Sequence, residues 1–341
     1  MIWLALRRHR TNLVIVLGLT VLLAGWMAYL AHRFDTAPTT TFPGPSGTVH
    51  SYPDLYSGPT LLRLPYQVDA LNLLLLAFPC LVGALLGVPL VAGELSDHTN
   101  RLAWTQRITR TRWLSTKWWV VGLPLLLLSA LLVLATQWWS HLVVGYGLAQ
   151  VFGLVGFTGS SRMAPEVYSV TGVVPVVYTL FAFALGTGLG ANLRRVSWAI
   201  AGTVVVYGLV SFVMVTSVRP NLAPKVFVAF ESANAPNADG AGSALLTVEG
   251  GGPWMLGTGN QFRPGFHQIP GRPTPDQVAT RCESTPGDFI TCLNRSHVEE
   301  GTYYQPGRNY WALQWRESAI YLVATVVLFG VGLMAVRSWR A

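Results

Sequence analysis

Between Gly93 and Lys117 the chain reads GELSDHTNRLAWTQRITRTRWLSTK, a polar and strongly basic stretch pressed between two apolar runs. Leu71–Ala92 precedes it and Trp118–Gln137 follows it, and each is about 20 residues long, enough for a helix to cross a hydrocarbon core of roughly 30 Å. The stretch is therefore a loop between two spans. It carries Arg101, Arg107, Arg110, Arg112 and Lys117 against Glu94 and Asp97. Short loops enriched in Lys and Arg stay on the cytoplasmic side, so this loop orients every other segment.

Composition agrees with that reading. Charged residues make up 11% of the 341 and hydrophobic ones 51%, against a charged share of about 25% in ordinary soluble domains. The class is a polytopic membrane protein. A net charge of +8 could suggest nucleic acid as a partner. The basic residues flank apolar spans instead of forming a domain-sized patch, so no nucleic-acid partner is expected.

Taken in order, residues 1–31 are an N-terminal segment and a first span. MIWLALRRHRTN places Arg7, Arg8 and Arg10 among apolar residues, which suits either a short interfacial helix or a basic flank of that span. Its apolar core is too long for a cleaved signal peptide. Residues 32–70 form a polar outer loop. The second span, 71–92, contains Pro79, Gly83, Gly87 and Pro89 and is expected to kink, because each proline removes a helical hydrogen bond. After the basic loop, 93–117, the third span covers 118–137, with Trp138 and Trp139 at the interfacial belt. Residues 138–170 read as extracellular or re-entrant. His141–Phe157 within them is short and glycine-bearing, with a seventh span as the alternative, which would put Arg194 and Arg195 outside. The fourth span, 171–191, holds Gly186 and Gly190 at the small-xxx-small spacing that allows close helix packing. The fifth is 197–218, residues 219–316 form a large outer domain, the sixth span is 318–336, and 337–341 is a cytoplasmic tail.

With this path the inner segments hold 12 basic residues and two acids, leaving 11 bases and 13 acids outside. The expected fold is all-α, with six transmembrane helices, both termini cytoplasmic, and an extracellular domain between helices 5 and 6. Cys282 and Cys292 lie ten residues apart in that domain, on the face expected to be oxidising, and are expected to form a disulfide. Cys80, in the second span, reads as a small apolar core residue.

The motifs of several chemistries are missing. A phosphate-binding loop needs Gly-Lys-Ser/Thr so that the lysine reaches the phosphates. The chain has two lysines, Lys117 after Ser-Thr and Lys225 after Ala-Pro, and neither fits. No HExxH, CxxC or GxSxG occurs. Charged residues are nearly absent from the span interiors, which argues against a proton relay. No cofactor is expected in this chain.

VAGELSDHTNRLAWTQRITRTRWLSTK resembles the cytoplasmic coupling loop of type-2 ABC exporter permeases common in high-GC Gram-positive bacteria. TYYQPGRNYWALQWRESAIYL is similar to the lead-in to that family's last span, and LALRRHR to its basic start. Gly93, Ser96 and His98 depart from the family pattern, where Arg, Glu and Gly are usual, whereas Glu94 matches. The resemblance implies that the loop forms a short helix docking into an ATPase subunit. The contact residues would be Glu94, Leu95, His98, Thr99, Arg101, Leu102, Ala103, Trp104, Thr105 and Gln106. Leu95, Leu102 and Ala103 share one helical face by spacing alone, which suits either a partner groove or the membrane surface.

The resemblance further implies a permease that works as a homodimer or as one half of a pair, in contact with membrane lipid. ATP and Mg would sit on a separate ATP-binding subunit. The cargo class would be drugs, natural products, lipids or peptides, as in multidrug efflux. A different class remains open from the residues alone, a non-transporting receptor or sensor with an extracellular ligand-binding domain. A membrane enzyme is disfavoured, because Glu166, His141, His267 and His297 have no catalytic spacing.

Overall fold

The computed structural model describes residues 2–36, 39–43, 49–53, 64–93, 109–145, 162–163, 165–229, 254–262, 273–284 and 289–338. Six stretches within them are helical, long and apolar enough to cross a bilayer: Arg10–Asp35, Tyr66–Gly93, Arg110–Leu142, Val174–Leu193, Val196–Asn221 and Gly307–Ser338. They belong to helices α1 (Ile2–Asp35), α2 (Leu64–Val82), α3 (Arg110–Gly145), α5 (Val174–Leu193), α6 (Val196–Val213) and α9 (Tyr310–Ser338). The short helix α4 (Pro165–Val170) precedes α5.

Continuous helix reaches beyond the apolar runs at several ends. The third helix starts at Arg110, inside the basic stretch, and continues through His141 to Gly145. The remainder of the ambiguous segment, residues 146–157, lies outside the described residues. The last helix starts at Tyr310, eight residues before the first strongly apolar turn, for a reason given below.

The prolines and glycines of the second span alter its winding. α2 carries Pro79 in its interior and is followed by two π-helical segments, Gly83–Gly87 and Pro89–Gly93. Pro89 has no N–H to offer Leu85, the residue four positions earlier. The Asn12 side chain on α1 donates to the Leu85 carbonyl instead, at 3.0 Å. The Val88 N–H bonds to the Gly83 carbonyl five residues back, which is the π pattern. The winding of the second span thus changes where its prolines and glycines lie.

That widened segment lies against α5, the centre of the bundle. The most apolar window of α5 is 78% buried, against 22% for those of α6 and α9. α5 touches α2, α3, α6 and α9. Backbone meets backbone here, without side chains between. A Cβ on Gly83 would stand 2.5 Å from the Ala182 carbonyl oxygen, and one on Gly87 2.7 Å from that of Phe183. A Cβ on Gly186 would overlap the Gly83 carbonyl, and one on Gly190 would lie 3.0 Å from the Val88 oxygen. In lipid, where no hydrophobic effect drives helices together, close approach of this kind is a main source of packing attraction.

The peripheral helices show apolar faces outward, among them Val21 and Leu22 on α1, Leu123 and Leu134 on α3, Val205 and Phe212 on α6, and Val326 and Val327 on α9. Such faces suit contact with lipid chains. α5 turns into α6 within two residues, made possible by Arg194 in the left-handed region (φ 56°) with its N–H on the Gly190 carbonyl. At the same pole Arg110 Nη1 donates to the Arg337 carbonyl at 3.4 Å. Lys117 is buried, its ammonium 3.9 Å from the centre of the Trp113 ring one turn earlier.

The opposite pole carries the strands. β1 (Thr39–Pro43) and β2 (Val49–Pro53) form an antiparallel pair between α1 and α2. Between α6 and α9 a second antiparallel sheet, in the order β3-β5-β4, is built from β3 (Val226–Ala229), β4 (Trp254–Phe262) and β5 (Val298–Gln305). Helices α7 (Pro275–Ser284) and α8 (Phe289–Arg295) bury Ala279, Cys282 and Leu293 with Val298 of β5. Their cysteines, Cys282 and Cys292, form a disulfide.

Candidate functional site

The reason α9 starts early lies on one of its faces. Tyr310, Gln314, Glu317 and Tyr321 recur at i, i+4, i+7 and i+11, one stripe of a helix. All four are buried. Burying a polar side chain away from water is costly unless it is hydrogen-bonded within the protein.

Gln314 meets that requirement with every atom it has. Its Oε1 accepts from the Val173 and Val174 N–H groups, each at 3.0 Å, and its Nε2 donates to the Tyr168 and Thr171 carbonyls at 3.3 and 3.2 Å. The first N–H groups of a helix have no partner within the helix. Gln314 therefore caps α5 from a neighbouring span. Gly172 allows the approach: it takes φ +75°, and a Cβ there would stand 2.6 Å from Gln314 Oε1. Beside it the Thr171 and Tyr310 hydroxyls are 3.0 Å apart.

One turn deeper is an ion pair with no solvent exposure. Arg219, at the start of a 3-10 turn that follows α6 and its π-helical continuation Met214–Val218, donates through Nε to Glu317 Oε2 at 2.9 Å and through Nη2 to Oε1 at 3.1 Å. Nη2 also reaches the Tyr178 hydroxyl at 2.8 Å and Ser169 Oγ at 3.0 Å, and Nη1 reaches the Pro165 carbonyl at 3.3 Å. The Tyr178 hydroxyl donates to Glu317 Oε1. The guanidinium carbon Cζ lies over the Tyr168 ring, 4.4 Å from its centre. The Tyr168 phenol is pushed up from its ordinary range, first by burial and then by the Glu317 charge, although Arg219 opposes the shift. It stays protonated at physiological pH.

Above this pair the connection from α6 to the sheet is held by the same lead-in to α9. Gln305 Nε2 donates to the Pro220 and Ala223 carbonyls at 3.1 and 2.7 Å, Asn309 Nδ2 to that of Pro224 at 3.3 Å, and Arg316 to that of Leu222. Residues 305–317 thus bind the ends of α4, α5 and α6 into one polar junction. The Gln314 amide, the Arg219 guanidinium and the Glu317 carboxylate are all engaged, whereas the buried hydroxyls of Tyr168 and Tyr321 have no hydrogen-bond partner among the described residues. What it can do is hold helix ends, or release them together.

Sequence reasoning placed Arg219 and Arg316 in an aqueous segment and Glu317 at its edge, and so missed this cluster. The stripe of polar and aromatic residues at helical spacing was the available signal, masked by a start for the last span chosen by apolarity alone. The ten docking-loop residues from Glu94 to Gln106 lie outside the described residues. Gly186 and Gly190 lie where α5 meets the π-wound segment that follows α2. Cys80 is half-buried against the core around α5. Among the described residues no group of His, Cys, Asp and Glu is placed to hold a metal ion.

No curated protein and no solved structure matches the chain. Residues 11–219 match the family described as ABC-2 membrane transporter related. The match runs from the first span to Arg219 at the end of the fifth and covers more than half of the chain. ABC-2 permeases are transport components of the cell membrane that generally work with an ABC ATPase subunit. Six helices among the described residues, long and apolar enough to cross a membrane, and an apolar girdle agree with a multi-pass protein of the cell membrane, and this chain belongs to the ABC-2 membrane transporter related family.

Proposed function

We propose that the chain is the membrane-spanning subunit of an ATP-driven exporter for hydrophobic or amphipathic molecules, drugs, natural products, lipids or peptides among them. The family match over the first five spans carries this reading. ATP and Mg are bound by a separate subunit, and two permease copies, as a homodimer or a related pair, enclose the path. The basic residues Arg110, Arg194, Arg195 and Arg337 flank spans at the pole opposite the sheets, which supports a cytoplasmic location for that pole. Residues 226–305 are then extracellular, and Glu94–Gln106 face the cytoplasm, where an ATPase can reach them.

Leu102→Asp tests the reading. A carboxylate set into an apolar groove costs several kcal/mol unless it finds a partner. The variant is expected to reach the membrane normally, to lose the ATP-binding subunit in pull-downs and to stop export. Retention of both refutes docking through this loop. Robust ATP hydrolysis by the purified chain alone refutes the division of labour.

A further inference from the structure

Most of the bundle is held by glycines and apolar side chains, but its sheet-bearing pole is closed by charge. There α4, the end of α6 and the start of α9 meet α5 through Arg219, Glu317, Tyr178, Ser169 and Gln314. The distinction has a physical consequence. Apolar surfaces separated in water lose the stabilisation of their contact. A buried ion pair gave up hydration to form, so its attraction is largely offset by desolvation, and water entering the junction restores what was lost. Such a junction is dry when shut and costs little to open where water can reach it.

Water is close. Glu317 lies seven residues into α9, about 10 Å at 1.5 Å per residue. Trp311 and Trp315, 50% and 61% exposed on the other face of the same turns, are placed as an interfacial belt. The element nearest the pair is also short. α4 has six residues, is joined to α5 through the left-handed Gly172, and adjoins a cavity of about 20 Å³ among Phe78, Thr136, Val170, Pro175 and Thr179.

We propose that Arg219, Glu317, Tyr178 and Ser169 form a hydration-driven latch that keeps the sheet-bearing pole closed at rest and parts in each transport cycle. The pair separates with the end of α6 moving from the start of α9, and each charge exchanges its partner for water. The latch rests on the exporter reading, and the experiment separates the two.

Ser169→Cys in a Cys80→Ala background leaves a single free thiol, because the other two of the three cysteines are paired. A membrane-impermeant maleimide is applied to cells that co-express the ATP-binding subunit. Labelling at least tenfold faster in energised than in ATP-depleted cells is expected. Equal rates overturn the latch. A second variant, Arg219→Met/Glu317→Leu/Tyr178→Phe with the same cysteine, replaces the charges by apolar groups and is expected to abolish the ATP-dependent increment. If it keeps the increment, the cluster is a structural staple only. Pull-down of the ATP-binding subunit is scored on the same cells: its absence defeats the exporter reading, whereas its presence with flat labelling defeats the latch alone.

Discussion

Gly83→Ala tests whether direct backbone contact holds the centre of the bundle. The added Cβ would stand 2.5 Å from the Ala182 carbonyl oxygen, and ordinary contact begins near 3.4 Å, so the segment and α5 must part by the difference, 0.9 Å. No flexible side chain can yield, because the obstacle is backbone. A gap of 0.5–1 Å forfeits about a quarter to a half of each affected dispersion contact, and overpacking of this kind typically costs about 1–3 kcal/mol. The proper control is Gly330→Ala on α9, where nothing lies within 4 Å of the new Cβ. There the helix gains up to about 1 kcal/mol from replacing glycine. The assay is the apparent melting temperature of the purified chain in detergent, read by the monodisperse fraction after heating. At about 2–4 °C per kcal/mol for chains of 150–250 residues, Gly83→Ala should melt several degrees below Gly330→Ala. Gly186→Ala, which meets Gly83 from the other side, should do likewise, and the double variant should cost less than the sum, because the first separation makes room for the second. Indistinguishable melting of Gly83→Ala and Gly330→Ala would refute the argument.

Three further outcomes follow from the sheet-bearing pole. Gln314→Leu strands two N–H groups of α5 and two carbonyls, each costing about 1–3 kcal/mol when buried, so its yield in the membrane should collapse under mild heating while Arg308→Leu, at an exposed position, has no effect. Glu317→Ala leaves Arg219 buried without its counter-charge and should cost about 3–5 kcal/mol; limited proteolysis should then cut near residues 219–224 far faster than in the unaltered chain. Reduction of the Cys282–Cys292 bond reopens a loop with a separation of ten residues, which contributes about 2.7 kcal/mol by the chain-entropy model; hydrogen exchange should rise in α7 and α8 and stay unchanged in α5, and a rise throughout the bundle would contradict a local role.

The membrane class and the six apolar runs found long enough to cross a bilayer among the described residues were legible in the sequence, because a run of about 20 apolar side chains has one stable answer in a bilayer. Positions where two distant segments meet were not. Pro89 announces a missing hydrogen bond, yet only the folded bundle shows Asn12 of α1 supplying a donor to the Leu85 carbonyl. Arg219 and Glu317 stand 98 positions apart, and either taken alone reads as a solvated charge at a membrane edge. Burial becomes tolerable only when the two share hydrogen bonds with Tyr178 and Ser169, a condition set by which helix ends converge. Gln314 is the same case: an amide in a polar lead-in by sequence, it becomes the cap of another helix once α5 places its unpaired N–H groups within reach. Apolar content determined which segments enter the membrane, and the unmet hydrogen bonds of the segments that entered determined how they are joined.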